Sequence, residues 1–160
     1  MTVNFELLEK QLVALLEGDV DRLALSANFV ALLYAEIPRI NWLGVYVVRG
    51  DALVLGPFQG LPACVHIPLG QGVCGTAAQN AKTLRVDNVQ AFDGHIACDP
   101  QSKSELVVPL QNQDQVFAVL DIDSPLEARF SSLDQQGIER LCGRFVQRLC
   151  AISPDLTEFI

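Results

Sequence analysis

Residues 104–123 read SELVVPLQNQDQVFAVLDID, and this stretch decides the fold class. Two β-rich runs, SELVVPL and QVFAVLDID, flank a polar turn around Asn112–Asp114, which predicts a hairpin. A second such pair lies upstream. Residues 41–58, NWLGVYVVRGDALVLGPF, turn about Arg49-Gly50-Asp51. Hairpins pair antiparallel, so the chain is α+β and not a doubly wound parallel sheet.

Working outward, apolar residues at helical spacing predict helices on both sides of these strands. Residues 4–17 carry Phe5, Leu8, Leu12, Leu15 and Leu16, and Gly18 can end that helix. A second helix over 20–36 is expected to be capped by Asp19, to bury Leu23, Phe29, Val30, Leu33 and Ile37, and to stop at Pro38. Between the hairpins come an extended run (64–68), a glycine-rich loop (70–75), a short helix (76–81) and a short strand (84–86). Residues 88–103 read as a long irregular loop, a feature that in a compact domain is usually functional. Ser132 and Gln135 have capping-box spacing and open a last helix with the stripe Ile138, Leu141, Cys142, Phe145 and Leu149. The expected architecture is a central antiparallel sheet flanked by N-terminal and C-terminal helices, with residues 1–160 forming one domain.

Composition narrows the function. Half of the 160 residues are hydrophobic, enough for a sizeable core. Eleven Lys and Arg face nineteen Asp and Glu, a net charge of −8 that repels phosphate backbones and anionic membrane surfaces. No nucleic-acid or membrane partner is therefore expected. The N-terminus lacks a secretory pattern and no apolar run spans a bilayer, which points to the cytoplasm, where thiols stay reduced. The five cysteines then need burial, metal or redox chemistry to explain them, and no CxxC pair is present.

Four groupings carry chemistry. G70-Q-G-V-C-G75 matches GxGxxG literally, but two helices and a hairpin precede it. A dinucleotide fingerprint belongs to the first strand–helix turn, so a tightly packed loop explains it better. Cys64, His66, Cys74, His95 and Cys98 have the residue types of a zinc site but not the usual paired spacing, and no metal is expected. Cys142 and Cys150 sit on or beside an apolar helical stripe and read as packing residues, whereas Cys98 lies in the long loop, where a thiol can meet a ligand. Glu105, Asp121 and Asp123 form the third group. If the hairpin turn centres on Gln113, Glu105 faces Asp121, with Phe117, Val119, Asp121 and Asp123 on one face. Like charges placed opposite each other call for a cation, a metal or a shared proton. Fourth, Trp42, Gly44 and Tyr46 alternate onto one face of the first hairpin, where the glycine is expected to leave a hollow between two aromatics. Acids and aromatics suit an amine-bearing ligand; thiols suit redox or acyl-transfer chemistry.

The run VLGPFQGLPACVHIPLGQGVCGTA, followed by VDNVQAFDGHIACDPQSKSELVVPL and LDIDSP, closely resembles the free methionine-(R)-sulfoxide reductases, small enzymes of the GAF fold. The likeness covers about residues 40–145 and implies site residues position by position. Cys98, in GHIACD, corresponds to the catalytic thiol. Cys64 and Cys74 correspond to recycling thiols, Glu105, Asp121 and Asp123 to pocket acids, and Trp42 and Tyr46 to an aromatic wall.

The resemblance implies reduction of free methionine sulfoxide without a bound cofactor. Cys98 attacks the sulfoxide, an acid such as Glu105 supplies a proton, and backbone N–H groups of Ile96–Cys98, Ala97 included, polarise the oxygen. Either Cys64 or Cys74 resolves the sulfenic acid, the resemblance favouring Cys64, and thioredoxin restores the thiols. Two rivals are a non-catalytic GAF module that senses an amino acid and a zinc-stabilised interaction module. The apolar N-terminal helices leave room for a homodimer.

Overall fold

The computed structural model describes residues 3–94, 96 and 99–160. The expectations placed on His95, Ala97 and Cys98 lie outside these described residues. Among the described residues there are four α-helices: α1 (Phe5–Leu16), α2 (Arg22–Glu36), α3 (Gly72–Asn80) and α4 (Ser132–Ile152). The strands are β1 (Trp42–Arg49), β2 (Ala52–Gln59), β3 (His66–Pro68), β4 (Leu84–Val86), β5 (Ser104–Asn112) and β6 (Gln115–Ser124). They form one six-stranded sheet in the order β3-β2-β1-β6-β5-β4, and every neighbouring pair is antiparallel. The two predicted hairpins are joined at the centre of the sheet by β1 against β6.

Period-two alternation divides the strands between two cores. Leu43, Val45 and Val47 of β1, Leu106, Val108 and Leu110 of β5, and Leu120 and Ile122 of β6 face α1, α2 and α4. There they meet Leu8, Leu12, Phe29, Leu33, Leu141 and Phe145, with the Phe29 and Phe145 rings stacked 4.2 Å apart. The opposite face carries Trp42, Tyr46, Val107 and Val119, covered by α3 through Val73, Cys74 and Ala77. Burial of this apolar area is the main drive for assembly. It also leaves Glu105, Asp121 and Asp123 on the α3 side of the sheet.

The predicted elements are present, but several boundaries move. Asp21, not Asp19, caps α2, accepting from the Ala24 N–H at 2.9 Å. Asp19 instead bonds the amides of Val20 and Asp21, turning the chain two residues before the helix. Leu23 falls in the first turn at the edge of the apolar stripe and stays exposed, as does Leu15 at the rim of α1. The capping box of α4 is Ser131 with Asp134, one residue earlier than read: the Ser131 hydroxyl accepts from the Asp134 N–H at 3.1 Å, and the Asp134 carboxylate accepts from the Ser131 N–H at 2.8 Å. Within 88–103, a 3-10 turn occupies Val89–Ala91.

The glycine-rich segment is the larger revision. α3 begins at Gly72, inside the stretch read as a loop. Gly75 lies within the helix and directly against the carbonyl oxygen of Pro68, where a β-carbon has no room. The glycine there brings helix and strand together and does not cradle a phosphate.

Candidate active site

The carboxylates come together through a register that the sequence did not show. The β5–β6 turn places Gln113 and Asp114 at positive φ, and near the turn Asn112 pairs Gln115 and Gln111 pairs Val116. Leu110 then pairs Ala118, so Phe117 is an extra residue, a β-bulge. The bulge sends Phe117 to the helix-covered core, away from Val119, where it packs edge-on against Phe159. It also slides the pairing by one, so Glu105 faces Asp123 and Val107 faces Asp121. The three acids still share a face, with Asp121 diagonal to Glu105.

A cavity of about 30 Å³ lies over them, lined by Tyr46 of β1, Ile67 of β3, the start of α3 at Gly72–Cys74, and Ile96, Asp99, Ser102, Glu105, Asp121 and Asp123. Four carboxylates and no Lys or Arg are among the described residues that line it. Asp99 and Ser102 were not singled out from the sequence, although Asp99 directly follows Cys98.

Burial controls the chemistry here. Glu105 and Asp121 are 7% and 6% exposed. Desolvation, then the neighbouring charges of Asp121 and Asp123, pushes the Glu105 carboxyl well above the usual carboxylate range. Asp123 rises for the same first reason, reinforced by Asp121 and Asp99 and opposed by a bond from Ser102. Asp121 rises to about 6 through burial, held back by hydrogen bonds from Cys74 and Glu105. The raised carboxyls favour retention of a proton within the cluster. Asp121 Oδ1 is buried without a hydrogen-bond partner. Three acids that resist joint ionisation, with no Lys or Arg among the described lining residues, have the chemistry to take up an ammonium group, whose arrival would let them ionise.

The thiols separate by environment. The Cys74 thiol is 3% exposed, 3.8 Å from the Glu105 carboxyl, and pushed well above its ordinary pKa by burial and by Asp121 and Glu105. That disfavours the thiolate a nucleophile needs. Cys74, Glu105 and Asp121 each place one ligand-type atom within 4.8 Å of the others, a set able to hold an ion. Cys64 and His66 do not join this set, so among the described residues the thiol–imidazole cluster read from the sequence does not converge. Cys64 is half-buried and disulfide-bonded, and its carbonyl accepts from the Tyr46 hydroxyl at 2.9 Å. Cys142 is buried in the helix-side core with Cys150 packed against it, as their helical positions suggest.

The aromatic wall is built differently from expectation. Tyr46 lines the cavity, while Trp42 stacks behind it at 5.8 Å and on Phe58 at 5.5 Å. The Trp42 N–H donates to the Leu61 carbonyl at 3.0 Å. No hollow remains at Gly44, because the indole of Trp42 lies over it and Phe58 Cβ sits 2.6 Å from where a β-carbon would be. Gly44→Ala should therefore destabilise the protein by about 2 kcal/mol through overpacking. The check is a urea midpoint lowered at unchanged slope; an unchanged midpoint would show that the indole yields freely.

Comparison with known proteins shows the family. The GAF domain family model matches residues 12–149. The chain is 50% identical over 134 residues to the free methionine-R-sulfoxide reductase of Escherichia coli, covering 84% of this chain and 81% of that one. The X-ray structure of free methionine-R-sulfoxide reductase from Neisseria meningitidis in complex with its substrate matches with a TM-score of 0.90 at 36% identity, over 94% of this chain and 90% of that one. The structure of fRMsr of Staphylococcus aureus in complex with substrate matches at 0.88 and 44% identity, over 92% and 97%.

Proposed function

Given that the chain belongs to the GAF family, and within it to the free methionine-R-sulfoxide reductases, we propose that it reduces free methionine (R)-S-oxide to methionine with Cys98 as nucleophile. The observation that carries this reading is the buried Glu105–Asp121–Asp123 cluster, with no Lys or Arg among the described residues lining it, which suits the α-ammonium of a free amino acid.

The Cys98 thiolate attacks the sulfoxide sulfur while Glu105 gives its proton to the oxygen. The oxygen, now a hydroxyl, passes from that sulfur to the Cys98 sulfur as the transient S–S bond breaks, so methionine leaves with its sulfur reduced by two electrons and Cys98 is oxidised to a sulfenic acid. Asp121 and Asp123 hold the ammonium, and the S-methyl group packs on Tyr46, which Trp42 backs. Most of the cavity lining stands in strands or α3, with Ile96, Asp99 and Ser102 supplied by the connection before β5. Backbone N–H groups of residues 96–98 would polarise the oxygen. Cys64 then attacks the sulfenic sulfur, water leaves, and a disulfide forms. Thioredoxin, a cytoplasmic dithiol donor, reduces it by exchange, so no bound cofactor takes part. The half-buried, disulfide-bonded state of Cys64 and the buried, raised thiol of Cys74 support Cys64 in this role.

The test is a thioredoxin-coupled assay on separated R and S epimers of free methionine sulfoxide. The R epimer should turn over and the S epimer should not. Binding without methionine formation would make the protein an amino-acid sensor instead. Cys64→Ser should form methionine once per chain and then stop; continued cycling would assign resolution to Cys74.

A further inference from the structure

We propose that Asn41 is a positioning residue for the thiol step, its side-chain amide tying the Cys98 loop to the sheet beside the substrate acids. This rests on Cys98 being the nucleophile. Asn41 immediately precedes β1, and its backbone N–H donates to the Asp123 carbonyl at 3.0 Å. Its side-chain amide donates to Asp99 Oδ2 at 2.8 Å and to the Ser102 hydroxyl oxygen at 3.1 Å. Asp99 is the residue after Cys98 in the chain. Its other oxygen accepts from the Gln101 N–H at 2.8 Å, and its carbonyl accepts from the Ser102 N–H at 3.2 Å, so Asp99 organises the loop that Asn41 grips. Ser102 and Asp123 line the same cavity. Asn41, bonded through its backbone to Asp123, thus sets the end of the nucleophile's loop against an acid of the ammonium site. Among the described residues, the side-chain bonds from this loop to the sheet edge run through Asn41.

The orientation of the amide is itself informative. Asn41 Oδ1 is buried and has no hydrogen-bond partner. An unpaired buried acceptor is costly, so the amide is held for its donor end, by a charge-assisted bond to Asp99. With Asp99 opposite, only a donor serves at position 41, because a carboxylate there would face it with like charge.

The experiment compares Asn41→Ala, Asn41→Asp and the exchange Asn41→Asp with Asp99→Asn, measuring first-turnover rate, KM and melting temperature. Small displacements of a reacting group cost up to about 100-fold in rate, and Asn41→Asp should approach that loss, with Asn41→Ala losing less. The loss should fall on the rate more than on KM. The exchange restores one amide facing one carboxylate and should recover the rate to within about threefold of the parent, a rescue that a merely structural role would not give. The proposal fails if Asn41→Asp keeps the parental rate, or if the exchange is no faster than Asn41→Asp alone. Cys98→Ser is run in parallel: if it still forms methionine, the nucleophile assignment is what has failed, whatever the Asn41 variants show.

Discussion

Cys98→Ser is expected to form no methionine even when protein and the R sulfoxide are mixed one to one without reductant. Removing the attacking sulfur removes the step itself, so the first-turnover rate should fall by at least about 1,000-fold, roughly 4 kcal/mol of barrier. Rapid quench with quantified methionine reads it directly. The contrast with Cys64→Ser matters as much as the loss. One variant should lose the first turnover and the other only the later ones, and a resolving thiol cannot mimic the first pattern. Residual first-turnover activity near the parental rate would move the nucleophile to another thiol.

Glu105→Gln carries the second large effect, and it acts in opposite directions on activity and stability. As the proposed proton donor, Glu105 should contribute on the order of 100- to 1,000-fold to the chemical step, so the variant should lose rate far more than affinity. Its burial, meanwhile, destabilises the substrate-free fold. The carboxyls of Glu105, Asp121 and Asp123 all lie above their unfolded values of about 4. Between those values and the folded ones, the native state holds protons that the unfolded chain has released, so stability falls as pH rises. For Asp121 that window runs from the unfolded value to about 6; for Glu105 and Asp123 it extends further up. An amide at position 105 keeps the shape without the ionisation. Glu105→Gln should raise the melting temperature at neutral pH by roughly 4–8 °C, about 2 kcal/mol, and flatten its decline with pH. A lower melting temperature with an unchanged pH slope would mean that the cluster carries no frustrated charge.

The sequence made the face assignments legible because they depend only on the strand period. Trp42 and Tyr46 against Leu43, Val45 and Val47 follow from alternation, and the two cores respect it. The co-location of Glu105, Asp121 and Asp123 was legible for the same reason. Their pairing was not, because it hangs on a turn centred between Gln113 and Asp114 and on one inserted residue: Phe117 bulges out of register, and nothing in its identity distinguishes it from a ladder phenylalanine. Gly44 was readable as a close approach, but whether a ligand or Trp42's own ring fills the space is a tertiary fact. α3 starts four residues early because packing against Pro68 overrides the glycine content that reads as loop. Asn41 and Asp99 stand 58 residues apart, and a side-chain bond across that distance leaves no local pattern.

The central claim is that the oxygen of the sulfoxide passes to Cys98. Cys64→Ser, unable to resolve the intermediate, should be mixed with one equivalent of free methionine (R)-S-oxide in the presence of dimedone and digested for mass spectrometry. The account predicts one dimedone adduct, on the peptide bearing Cys98, formed in step with methionine and absent with the S epimer. An adduct on Cys74, or methionine released with Cys98 unmodified, would contradict it.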